Sequence, residues 1–273
     1  MSDWIPDGID LSKPSAARVY DYYLGGGHNF EVDREFAERA LLAHPFAREM
    51  AVINRTFVRR AVQLMVERGV RQFLDLGSGI PTVGNVHEIA RDCRVVYVDC
   101  EEVAVAHTRM ILRGSDRATV VHADAARAED VLSAPETVRM LDFDEPVGVL
   151  AATVFHYVPE HHDPFAALER YRDAVPPGSY LAISHLASDG LPAMIEQMAT
   201  MMKESRNNIH PRTCAEIARM FGDFEMEQPG LAGVANWQSE RPVDATQHLD
   251  VGLLIQAGIG RKCAAARGSS GTG

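Results

Sequence analysis

The sequence predicts an α/β protein built on a doubly wound, mostly parallel seven-stranded sheet, with a helical cap at its amino end. Three observations carry this. From residue 71 onward, short apolar runs alternate with segments of helical period. The runs are apolar almost throughout, as in strands covered by helices on both faces. The first of them ends Phe73-Leu74-Asp75-Leu76 and breaks into Gly77-Ser78-Gly79, with the helix-period stretch Asn85–Ala90 after it. That is a strand, a tight glycine turn and a helix.

Residues 1–70 contain no strand pattern and form the expected cap. A helical segment after Pro14 carries Arg18, Tyr20, Tyr22 and Tyr23 and stops at Gly25-Gly26-Gly27. Val32, Phe36 and Ala40 then recur every four residues. A longer helix from about Arg48 has the stripe Ile53, Phe57, Ala61, Leu64 and Met65, with Gly69 where a C-terminal cap belongs.

The main domain is expected over 71–260. Its strands are Gln72–Asp75, Val95–Asp99, Thr119–Val121, Val147–Ala152 and Tyr180–Ser184. Helices are expected through Val103–Ile111 and Pro164–Ala174, and Pro176-Pro177-Gly178 turns into the fifth strand. Leu191–Glu204 reads as a helix, and Thr213 with Glu216 as a capping box. Phe224–Glu227 and Val251–Ala257 are the expected closing strands, and 261–273 a flexible tail.

The chain has 273 residues and a formal net charge of -11, which disfavours a broad phosphate-binding face and so DNA or bulk RNA. Cys93, Cys100, Cys214 and Cys263 lie too far apart for metal or redox spacing. Met1–Pro6 lacks a basic stretch followed by an apolar run, and no apolar run reaches bilayer length. These features predict a cytoplasmic protein off the membrane. His161-His162-Asp163 reads as a solvated loop, so no metal site is expected.

Ligands of open parallel sheets bind beyond the strands' carboxyl ends. Acids stand at three successive ends: Asp75, Asp99 and Asp124. Asp75 beside the glycine turn is poorly placed against a pyrophosphate and suits a ligand with an amino group and a positive centre. Asp99 can accept from both ribose hydroxyls, and Asp124 from an adenine amino group. The Gly77-Ser78-Gly79 backbone and the following helix's amino end suit a carboxylate. The cofactor expected is S-adenosylmethionine (SAM), with S-adenosylhomocysteine as product. NAD is the competitor, but a dinucleotide turn wants a third glycine where Pro81-Thr82 stands. Cys100 and Ala125, next to the second and third acids, join the expected cofactor set, with Tyr23 and Gly25 from the cap.

Tyr22, Asn29, Phe30 and Tyr157 are the expected substrate residues. The triple glycine reads either as a lid hinge or as a turn between packed helices. His156, just past strand four, is the catalytic candidate, as a base or as a residue that shapes the pocket.

Asp75-Leu76-Gly77-Ser78-Gly79, Asp99, Asp124 and Pro176-Pro177-Gly178 together resemble class I SAM-dependent methyltransferases over about residues 70–260. One departure is Pro81, where that family's third glycine falls. Arg18-Val19-Tyr20-Asp21-Tyr22-Tyr23-Leu24-Gly25-Gly26-Gly27-His28-Asn29-Phe30 with Gly79-Ile80-Pro81-Thr82 is similar to an uncharacterised methyltransferase family abundant in actinobacteria. The resemblance implies methyl transfer from SAM to an unidentified acceptor, which the acidic charge suggests is a small molecule. The alternatives are an NAD-dependent oxidoreductase and a silent SAM-binding sensor or partner protein.

Overall fold

A computed structural model describes residues 11–82, 84–237 and 249–264. Three helices come first: α1 (Ala16–Tyr23), α2 (Glu31–Ala43) and α3 (Ala47–Glu67). Alternation then begins with β1 (Gln72–Leu76), α4 (Val86–Ile89), β2 (Arg94–Asp99), α5 (Glu102–Ile111) and β3 (Ala118–His122). It continues through α6 (Ala128–Leu132), α7 (Pro135–Met140), β4 (Gly148–Ala152), α8 (Pro164–Ala174) and β5 (Tyr180–Leu186). The last part holds α9 (Pro192–Met202), α10 (Cys214–Arg219), β6 (Glu225–Met226), β7 (Ala232–Gly233), α11 (Leu249–Leu254) and β8 (Ile255–Arg261).

The strand order is β3-β2-β1-β4-β5-β8-β6, with β7 pairing β8 off this path. Strands β1 to β5 are parallel, and β8 runs antiparallel to β5. The order reverses between β1 and β4, and that switch point opens a crevice above the strand ends. Seven strands lie on the path, as expected, and the two-residue β7 is an addition.

The apolar runs make both faces. On one, Phe73, Val95, Tyr97, Leu150 and Ile259 meet Phe57, Ala61, Val62 and Met65 of α3. On the other, Leu74, Val96, Val121 and Ile183 meet Leu168 and Tyr171 of α8. Helix α3 is thus a layer of the main sheet, although it lies within the first seventy residues. Above it, α1 and α2 make a small cluster of Val19, Phe36 and Ala37, joined by Met201 and Met202 of α9.

Three expectations are corrected. The helix after the glycine turn is a single turn that begins at Val86, and its cap residue Asn85 is engaged by Glu88. It therefore offers no helix amino end beside Gly79. The run Val251–Ala257 is not one strand: α11 ends at Leu254 and β8 starts at Ile255. Apolar runs of this length carry no periodicity that separates helix from strand. The expected tail also starts too early, because Arg261 pairs with Tyr180 and the Lys262 ammonium donates to the carbonyls of Arg172 and Val175. Residues 1–10 and 265–273, which include the Met1–Pro6 stretch read above as lacking a leader pattern and most of that tail, lie outside the described residues. Among the described residues no helix is long and apolar enough to cross a membrane, and no cluster of three or more His, Cys, Asp or Glu is placed to hold a metal.

Candidate active site

A cavity of about 450 Å³ lies above the carboxyl ends of β1, β2, β3 and β4, within the ordinary size range of small-molecule sites. Gly77, Ser78, Gly79, Asp99, Cys100, Asp124 and Ala125 all line it. The glycine turn is pinned in two places. Ser78 N–H donates to the Val98 carbonyl at 3.0 Å, and Gly79 N–H donates to Asp99 Oδ2 at 2.7 Å. The other oxygen of Asp99 accepts from Glu101 N–H at 2.8 Å. Asp99 therefore sets the shape of two loops, and each oxygen keeps a lone pair for a ligand.

Gly77 and Gly79 have φ of +62° and +66°. A β-carbon on Gly77 would stand 2.3 Å from Val154 Cγ2, whereas one on Gly79 meets no protein atom within 4 Å. The first glycine lets β1 approach β4, and the second faces open space. Pro81 is accommodated because no helix begins at it: α4 starts only at Val86.

Asp75 is buried and does not line the cavity. Burial raises its carboxyl to about 7, against the lowering pull of Arg55 and with a further push from Asp99. Burial likewise raises Asp99 to about 6, opposed by the N–H donors of Glu101 and Gly79. Desolvation in the groove, then the Asp99 and Asp124 carboxylates, push the Cys100 thiol up to about 12. Asp124 Oδ1 accepts from Ala126 N–H at 2.9 Å, and Tyr171 holds the Ala125 carbonyl at 2.9 Å. Ser78 Oγ is buried at this groove with no partner. The desolvated Asp99 carboxylate, Asp124, an orphaned hydroxyl and a glycine edge facing open space fit a ligand rich in hydroxyl and amino groups.

A second, smaller cavity of about 140 Å³ adjoins the first. The two share Ala16, Tyr20, Asn54, Thr153 and Tyr157 as a common wall. Asn54 is the centre of that wall. Its Nδ2 donates to Tyr20 Oη at 3.1 Å and Thr153 Oγ1 at 3.2 Å, and its Oδ1 accepts from Ser184 Oγ at 2.6 Å. Tyr20 donates onward to the Ala51 carbonyl. Thr153 has φ +52°, unusual for a β-branched residue and the kind of strain that functional sites hold.

His156 lines the second cavity, on the 3₁₀ turn Phe155–Tyr157 after β4. Burial, then His185, Arg212 and His210, hold its imidazole well below the ordinary range, so it is neutral. Its Nδ1 is buried without a partner. Arg212 fixes this turn by donating to the carbonyls of Phe155 and Val158, and it also reaches His185 and Glu160.

The cap residues fare differently from expectation. Tyr23 lines the second cavity and not the cofactor-sized one. Tyr22, Gly25, Asn29 and Phe30 line neither. Tyr22 points outward, with its phenol on Glu38. Gly25 closes α1 at φ +80°. Asn29 donates to Asp21 Oδ2 at 2.8 Å and to the Gly26 carbonyl. Phe30 lies under Arg18 and packs with Ile80, Val103 and Ala104. Their physical role is to hold the glycine loop, and Asp21 organises it by accepting also from His28 N–H and Thr82 Oγ1. Sequence reading missed Tyr20, Asn54, Thr153, Arg206 and Asn207, which line the site from α1, α3 and two loops.

The S-adenosyl methyltransferase family profile matches residues 2–263. A candidate methyltransferase from Thermobifida fusca YX is 41% identical, with 96% of this chain and 100% of that chain covered and a TM-score of 0.88. A DUF574 family protein from Streptomyces avermitilis is 30% identical, with 93% and 99% covered and a TM-score of 0.85. The N-methyltransferase NodS from Bradyrhizobium japonicum, solved with S-adenosyl-L-homocysteine, shares the fold at 12% identity, with 90% and 98% covered and a TM-score of 0.50. No curated protein matches the chain.

Proposed function

The chain belongs to the S-adenosyl methyltransferase family, and on that premise we propose that this SAM-dependent methyltransferase acts on a small-molecule acceptor held in the second cavity. The observation that carries the reading is the common wall. A chamber of about 140 Å³ meets the larger groove across five residues, under α1 and α2. A nucleic acid or a folded protein substrate needs an open surface instead.

In this reading the larger groove holds the cofactor. Asp99 accepts from the ribose hydroxyls, Asp124 from the adenine amino group, and the Gly77–Gly79 edge receives the amino-acid end, with Asp75 buried behind it. When bound, SAM supplies an electrophilic methyl group on a sulfonium. The protein's share is to align the acceptor and to exclude water, which can supply much of the rate of a direct displacement. Asn54 holds Tyr20, Thr153 and Ser184 in one network, so the wall between the two ligands is preorganised. His156, buried and neutral, shapes the chamber and serves poorly as a base near neutral pH. Residues 11–46 with the α9 methionines act as a lid. Its closed position is held by Ala16 N–H on Asn207, Arg206 N–H on the Pro14 carbonyl, and Arg18 on Glu101.

The nicotinamide alternative is not carried forward, because the family match is to S-adenosyl methyltransferases. Calorimetric titration with SAM, S-adenosylhomocysteine and NADH tests the groove, with Asp99→Ala as control. The expected result is micromolar binding of both adenosyl ligands, weakened in the variant by about 1–3 kcal/mol, the cost of a lost buried polar partner. Binding of NADH alone would overturn the reading.

A further inference from the structure

From the make-up of the chamber we infer that the acceptor is an uncharged aromatic molecule, about one ring in its inserted part, that presents a single hydroxyl toward Asn54, Thr153 and Tyr157. This rests on the reading of the larger groove as the cofactor site and adds the chemical class of the acceptor.

Size is the first argument. An engineered apolar cavity of about 150 Å³ takes up benzene, and this chamber has about 140 Å³. Wall chemistry is the second. The far side is built from Phe36, Phe46, Tyr23 and the methionines Met50, Met198 and Met201. Aromatic faces and polarizable thioethers favour a flat, apolar ring and adapt to its outline.

Charge is the third. No Asp, Glu, Lys or Arg lines the chamber. Its two histidines, His44 and His156, are both shifted toward the neutral form by burial. Each keeps a buried ring nitrogen without a partner, His44 Nε2 and His156 Nδ1. An ionised acceptor would leave water for a space that has no counter-charge, at a cost far above that of a neutral hydroxyl.

Polar side chains gather at the shared wall, with Tyr23, His44 and Ser205 the polar residues elsewhere in the lining. Tyr20, Asn54, Thr153 and Tyr157 lie on the wall shared with the cofactor groove, and His156 Nδ1 stands beside them as an unused hydrogen-bonding atom. A ring seated among the methionines therefore points its hydroxyl toward the groove. In the transfer, the acceptor oxygen gains the methyl group as the sulfur–methyl bond breaks. The hydroxyl proton is taken up by solvent, and the neutral thioether S-adenosylhomocysteine is left.

The test is a binding experiment on the full-length protein saturated with S-adenosylhomocysteine. The probes are p-cresol, benzoate and benzylammonium, followed by calorimetry or ligand-observed NMR. The expected result is saturable binding of p-cresol, with both charged probes at least tenfold weaker. Ala47→Phe, which fills the chamber from α3, should weaken p-cresol at least tenfold and leave S-adenosylhomocysteine affinity unchanged. Met198→Trp makes the same test from the half-buried face of α9 if the first variant does not fold. Charged probes that bind as tightly as p-cresol, or no probe binding to a protein that holds S-adenosylhomocysteine, would overturn this inference and leave the cofactor reading intact. Failure to bind S-adenosylhomocysteine would overturn the cofactor reading itself, and this inference with it.

Discussion

Arg18 Nη1 donates to Glu101 Oε1 at 2.8 Å and so ties the first helix to the loop that follows Asp99. The Arg18 side chain is fully buried and has three further ties. Its Nε donates to Asp33 at 2.8 Å, Nη2 donates to the Lys13 carbonyl, and the guanidinium lies over the Phe30 ring. Arg18→Ala should therefore destabilise the protein by about 3–5 kcal/mol, because Asp33 would remain buried without its counter-charge. Arg18→Lys should recover only part of this, since a point charge cannot serve three directions. Urea unfolding of the two variants measures both numbers. A loss below about 1 kcal/mol for Arg18→Ala would show that the lid is not held by this residue.

The two glycines of the turn should separate folding from binding. Gly77→Ala combines a left-handed backbone with a β-carbon driven into Val154, so a loss of about 2–4 kcal/mol in stability is expected. Gly79→Ala carries only the backbone cost of about 1–2 kcal/mol, but its methyl projects into the groove. It should melt nearer the wild type and yet bind S-adenosylhomocysteine at least tenfold more weakly. Thermal melts with and without ligand distinguish the two. Equal behaviour of the variants would sink the distinction.

Proton linkage follows from the raised carboxyls. Asp75 at about 7 and Asp99 at about 6 both sit above their ordinary 3.8. Between about pH 4 and 7 the folded, ligand-free protein thus holds protons that the unfolded chain has lost. Through these groups stability falls as pH rises across that window. A ligand that uses the Asp99 carboxylate as an acceptor selects its ionised form. S-adenosylhomocysteine affinity should rise from pH 5.5 to 8, with protons released on binding. Calorimetry in two buffers of different ionisation enthalpy reads the release directly, and none at pH 6.5 would remove Asp99 from the cofactor contact.

His156 gives a contrasting expectation. A histidine held neutral by burial and by neighbouring His185 and Arg212 contributes no inflection to the rate between pH 6 and 9. His156→Gln should keep turnover within about tenfold of the wild type, whereas loss of a general base removes about 10²–10⁴-fold. A loss in that larger range, with the acidic limb of the pH–rate profile abolished, would restore the base role.

The strand ends were readable because each apolar run stops at a residue of different character. Asp99 and Asp124 stand where the chain leaves the sheet, while Asp75 is still paired within β1, and the sheet alone brings them near one another. The cap was harder to read. Asn29, Phe30 and Asp21 surround a triple glycine, and the same residues serve equally to bind a ligand or to hold the loop. Only the hydrogen bonds of Asp21 to His28, Asn29 and Thr82 decide in favour of the loop. Asn54 left one trace in the sequence, a polar residue next to Ile53 on the buried stripe of α3. Its partners Tyr20, Thr153 and Ser184 lie 34, 99 and 130 positions away, so spacing could not connect them.

The protonated state of Cys100 bears on the safety of the catalyst. A thiolate on the wall of a groove that receives an alkylating cofactor would be a target for self-methylation. With its thiol at about 12 in place of the ordinary 9.0, Cys100 carries roughly a thousandfold less thiolate than an unperturbed cysteine at neutral pH. Desolvation in the groove, aided by the Asp99 and Asp124 carboxylates, thus also protects the wall beside the cofactor. Cys100 and Cys263 are both exposed, so the raised Cys100 thiol alone should make iodoacetamide at pH 8 modify Cys263 first.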